Sequence, residues 1–145
     1  MAVVNMSAPE KAFLTKVMER ANLPDIYDAR EITLVVFRTL RDLMTTEASD
    51  RTQADFQDEE IAKLWKDDNP IVALLSRIRP PLNIDSETFL RRIMQEASVP
   101  RGATAEGVVI AVFATAKEEL SAERQAEIAG FLPDGVRVLW EQVSR

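Results

Sequence analysis

The stretch Ile32–Met44 (ITLVVFRTLRDLM) constrains this chain more than any other. On a 3.6-residue period, Ile32, Val35, Val36, Phe37, Leu40, Leu43 and Met44 cover well over half of the helix circumference. Arg30, Glu31, Arg38, Arg41 and Asp42 fill the remaining strip. A surface helix needs only one apolar stripe, so a helix this apolar must be flanked by others on several sides. A second such stretch follows at Val108–Leu120 (VVIAVFATAKEEL), with Val-Phe and Thr at matching offsets.

The pattern around these two stretches also recurs. Phe13-Leu14-Thr15-Lys16-Val17-Met18 matches Phe89-Leu90-Arg91-Arg92-Ile93-Met94, and Ala21-Asn22-Leu23-Pro24 matches Ala97-Ser98-Val99-Pro100. Ala29 falls on Ala105, Val36-Phe37 on Val112-Phe113, Thr39 on Thr115 and Glu47 on Glu123. One extra residue in the first half brings Phe56 onto Phe131 and Leu64-Trp65 onto Leu139-Trp140. This spacing predicts an all-α fold of two similar four-helix units, an internal repeat packed as one compact helical domain. The expected divisions are a first repeat over 1–66, a connector over 67–86 and a second repeat over 87–145.

Local signals set the helix ends. Ser7 with Glu10 three residues on reads as a capping box, with Pro9 in the first turn. Asn22-Leu23-Pro24-Asp25 stops that helix, and Asp25 or Asp28 caps the central one. A short polar helix is expected over Glu47–Ala54 and another from Asp58 or Glu59 to Trp65. In the connector, Asp67-Asp68-Asn69-Pro70 starts a short linking helix with Ile71, Leu74, Leu75 and Ile78 on one face. Pro80-Pro81 ends it. Phe37, Phe113, Trp65 and Trp140 are expected in the core.

The F-L-x-x-[VI] opening, the broad apolar helix and a short polar helix ending in Leu-Pro before a final aromatic resemble a known bacterial family. It is catalogued as domain of unknown function 2267, small helical proteins built from two similar halves. Leu132-Pro133 fits the family's Leu-Pro position, where the first half reads Phe56-Gln57; Ala116 is small where a leucine is expected. The resemblance implies the fold and carries no chemistry.

Composition removes several functions. With neither cysteine nor histidine among 145 residues, disulfides, thiolate nucleophiles, Cys/His zinc sites and imidazole acid–base catalysis are excluded. A net charge of −6 without a dense Lys/Arg run argues against nucleic acid and against an anionic membrane surface. The opening MAVVNMSAPE lacks a signal peptide's basic start and apolar run, and no apolar stretch approaches the roughly 20 residues of a membrane span. The expected compartment is the cytoplasm.

The remaining polar groups read mostly as surface. Asp50–Glu60 is acidic but has no glycine and no alternating EF-hand ligands, so it reads as a solvated loop. Glu118, Glu119 and Glu123 sit among polar residues near a helix end, and a di-metal carboxylate bundle would need Glu-x-x-His. Arg30, Arg38 and Arg41, with Arg77/Arg79 and Arg91/Arg92, are expected to pair with acids at helical spacing.

Leu34 stands apart. It projects among Arg30, Arg38 and Arg41, away from the main apolar face, and its match Ile110 is displaced in the same way. The same exception in both copies points to a second packing surface. It is either a seam between the halves, the favoured reading, or a self-association or partner surface that includes the three arginines. The function this supports is a non-catalytic protein-interaction or adaptor role with an unknown protein partner, in a monomer or homodimer. No catalytic residue, metal or cofactor is called for. The alternative is a small-molecule-binding protein or enzyme using carboxylates and arginines in a pocket between the halves.

Overall fold

The computed structural model describes residues 6–66, 71, 75 and 80–142. Among these the chain is helical and contains no strand. In order, the helices are α1 (Ala8–Ala21), α2 (Ile26–Leu43), α3 (Thr46–Asp55) and α4 (Glu59–Trp65). Then come α5 (Ser86–Glu96), α6 (Ala105–Lys117), α7 (Ala122–Ala129) and α8 (Asp134–Glu141). The expected linking helix lies largely outside the described residues, as do Leu74, Arg77, Ile78 and Arg79.

The helix starts follow from capping chemistry. The first backbone N–H groups of a helix have no internal partner, and a side-chain oxygen one residue before the helix accepts from them. Ser7, Asp25, Thr45, Asp58, Asp85, Thr104 and Ser121 each do so. α8 follows Pro133, which has no such side chain. There Ser86 Oγ, from the start of α5, accepts from Val136 N at 3.1 Å. Gly135 makes room for it, since a Cβ at that position would lie 2.8 Å from Ser86 Oγ. At its other end, α1 closes on Asn22 in the left-handed region (φ 55°), a conformation Asn tolerates better than most residues.

The core is one continuous cluster drawn from both halves. In the first half Phe37 packs on Phe13 and Trp65, with ring centroids 6.2 and 5.2 Å apart. In the second, Phe113 packs on Phe89 and Trp140 at 6.4 and 4.9 Å. Each indole N–H finds a carbonyl, Ser49 O at 3.2 Å and Gln125 O at 3.1 Å, which satisfies the polar end of a buried ring. Arg41 donates to Trp65 O and Lys117 to Trp140 O, so a cation from each central helix caps the end of its last helix.

The halves interlock. α1 makes its most extensive contact with α6 and α2 packs on α5, so each half's opening helix lies on the other half's central helix. α3 meets α7 across the same division. The broad apolar arcs of α2 and α6 follow from this, since each serves neighbours from both halves.

Three expectations need correction. α6 ends at Lys117, and Glu118–Leu120 form a turn closed by Glu119 N to Ala116 O and Leu120 N to Lys117 O. The acidic stretch Asp50–Glu60 is mostly helix: Asp50 and Asp55 lie in α3, Glu59 and Glu60 in α4, and Asp58 caps α4. Its charges occupy outer helix faces, which a count of polar residues does not distinguish from a loop. Finally, Phe56 is buried against Phe37 and Trp65, whereas Leu132 is buried and Phe131 only partly so. Leu132 therefore stands where Phe131 was expected, and the extra residue falls at Gln57.

Candidate functional site

The charged side chains of α1, α2, α5 and α6 mostly meet across the molecule. Arg20 Nη2 lies 2.7 Å and Lys16 Nζ 3.3 Å from the Glu118 carboxylate, and Arg20 Nη1 donates to Thr115 Oγ1 at 2.9 Å. The Arg20 hydrogen bond, supported by Lys16, holds the Glu118 carboxyl below its ordinary range. On the opposite side Arg92 pairs with Asp42 at 3.2 Å, and Arg38 with Glu96 at 3.7 Å. Arg51 Nε donates to Glu127 at 3.1 Å between α3 and α7, which lowers the Glu127 carboxyl. Ser121 N donates to Asp55 and Ser98 N to Glu31, so backbone groups join this network.

The arginines pair in the way expected only in part: Arg92, besides Asp42, lies 3.5 Å from Glu96 at i,i+4 spacing on its own helix. Arg91–Glu87 also has i,i+4 spacing, but Arg30 reaches Glu10 on α1 and Arg38 reaches Glu96 on α5. Helical spacing identifies neighbours on one helix and is silent about the next helix in space. Arg41 likewise reaches another helix, donating to Trp65 O at the end of α4. Leu34 is half-buried and packs against the core. Ile110 is also half-buried.

Grooves open on the described surface. One, of about 490 Å³, lies between α3 and α4 and is lined by Asp50, Gln53, Phe56, Glu59, Lys63 and Lys66 among others. Another, of about 270 Å³, lies where the halves meet, between α1, the start of α4 and the end of α6. Phe13 and Ile61, both buried in the core, supply apolar lining, and Lys16, Gln57, Asp58, Thr115 and Glu119 supply polar groups. Thr115 Oγ1 donates to Ala111 O while accepting from Arg20. The alternative expectation of arginines in a pocket between the halves is not met in this groove, whose cation is Lys16. Among the described residues no three acidic side chains gather closely enough to hold a metal ion, and no helix is long and apolar enough to cross a membrane.

One buried polar atom is left without a partner on α2. Thr33 is fully buried and its Oγ1 has no hydrogen bond. Thr39 and Thr115, also buried, donate to the carbonyls of Val35 and Ala111 one turn earlier.

Compared with known families, residues 10–139 match the model described as an uncharacterized conserved protein (DUF2267). The chain belongs to that family. The match runs from α1 into α8, so the interlocked helices of this DUF2267 chain are the unit the family describes. No curated protein matches it. The family description assigns no molecular role.

Proposed function

We propose that this chain is a non-catalytic protein-interaction module of the cytoplasm. The observation that carries this reading is the pair Ile71 and Leu75. They sit one helical turn apart between the halves and are 70% and 55% exposed. An isolated exposed apolar residue is ordinary, but two at i,i+4 spacing present a surface that water solvates poorly. Tyr27, Met94 and Val138 add further exposed apolar area. The ionisable groups most strongly placed by the fold, among them Glu118, Glu127 and Arg92, serve to join helices.

The test compares the wild type with an Ile71→Lys/Leu75→Lys variant as bait for cross-linked capture from the native host. The reading expects a defined protein set held by the wild type and lost by the variant, with both melting at the same temperature. Identical capture by the two baits would overturn it.

A further inference from the structure

Resting on that interaction reading, we infer that the groove at the junction of α1, α4 and α6 receives a basic side chain, lysine or arginine, from the partner protein. Its lining has the amphipathic character such a side chain requires. Pro9 and Ala12, with the edges of the buried Phe13 and Ile61 behind them, offer apolar surface to an aliphatic stem, and Asp58 and Glu119 offer carboxylates to its charged head. Lys16 also lines the groove, but its ammonium is drawn to Glu118 at 3.3 Å. Asp58 has one carboxylate oxygen on Glu60 N at 2.8 Å, and Glu119 is half-buried with no ion pair to any described residue. The acidic balance of the whole chain, −6, favours approach of a basic partner.

The other half shows that this groove is not a necessity of the packing. In the matching of the halves, Glu119 falls on Leu43, which is buried at 4% exposure. Lys16 falls on Arg92, whose guanidinium is paired with Asp42. At the start of α8 the corresponding corner is closed by Ser86 against Gly135 and Val136. The open corner also carries Gln57, the residue without a counterpart in the second half. An extra residue and a carboxylate in place of leucine leave space and unpaired negative charge at this corner.

Amide NMR titration tests this with Nα-acetyl-lysine methylamide and Nα-acetyl-arginine methylamide as probes and Nα-acetyl-norleucine methylamide as the neutral control. The cationic probes should shift the amides of Phe13, Gln57, Ile61 and Thr115 saturably, and the neutral probe should not. Glu119→Gln should weaken the binding at least fivefold. Asp58→Asn/Glu119→Gln should abolish it, with asparagine retaining the α4 cap. Glu119→Leu should also abolish it while raising the melting temperature, because leucine fills the corner as Leu43 does. Equal shifts from the neutral probe, no saturable shift from either cation, or undiminished binding to Glu119→Gln would each overturn the assignment. A wild type that still captures its partner through Ile71 and Leu75 while ignoring the probes would lose this site and keep the interaction reading.

Discussion

Thr33 and Leu34 are adjacent on α2, one fully buried and polar, the other half-buried and apolar. A buried hydroxyl without a partner has lost its hydrogen bonds to water and gained none, which costs about 1–3 kcal/mol. Thr33 is in that position, and the residue matched to it in the second half is Val109, fully buried. Thr33→Val keeps the shape and removes the orphaned group, so it should stabilise the fold by about 1 kcal/mol in chemical denaturation. A destabilised variant would mean that the hydroxyl has a partner after all. Leu34 poses the opposite question. It packs on the edge of the core, so a carboxylate there loses contacts and is partly desolvated. Leu34→Glu should lower stability by about 1–3 kcal/mol without changing the mass seen by light scattering. An unchanged melting temperature together with a loss of association would move Leu34 from a seam to an interface between molecules.

At the scale of elements, the sequence made the helices legible and their partners much less so. Ser7, Asp25 and Asp58 announce helix starts because capping is chemistry within a few residues. The arcs of α2 and α6 announce burial on several sides for the same local reason. Nothing local says that α1 lies on α6, or that Arg92 meets Asp42 rather than only an acid on its own helix. The cap of α8 is the same kind of case: its oxygen belongs to Ser86, on a different helix, and Gly135 is the only sign of the close approach. Of the grooves, the acidic residues were visible but not their convergence, since Asp58 and Glu119 come from opposite halves. Ser86→Ala should cost about 1 kcal/mol, read by denaturation, and weaken amide protection at the start of α8. Uniform loss of protection would show that the serine does more than cap that helix. The Arg20–Glu118 contact between α1 and the end of α6 adds a pH signature. Its carboxyl titrates below the ordinary value of 4.5 in the folded state, so the contact stabilises the fold above that pH. The contribution fades as pH falls through the lowered folded value. Glu118→Gln should therefore lose less stability than the wild type between neutral pH and about pH 3. Parallel loss in both proteins would remove Glu118 from the acid response.

At the scale of the whole molecule, the interlocking of the halves decides how the chain folds. A four-helix unit covering its own apolar surface would survive alone. Here α1 lies along α6 and α2 meets α5, so separating the halves exposes apolar surface of a core that belongs to both. Removing apolar surface from water contributes about 25 cal/mol per Å², and a domain's net stability is only about 5–15 kcal/mol. Exposing on the order of 300 Å² of the shared surface would cost an amount of that size, so neither half should fold alone. Fragments divided between residues 66 and 80 should each give the circular dichroism of a largely disordered chain. Mixed in equal amounts they should regain helix and the near-ultraviolet signal of Trp65 and Trp140, with a concentration-dependent melting temperature. The intact chain should unfold in one transition, with helix and tryptophan signals coincident. A fragment that is cooperatively folded on its own would show that the contacts within a half suffice, and the interlocked packing would then join two ready-made units rather than create them.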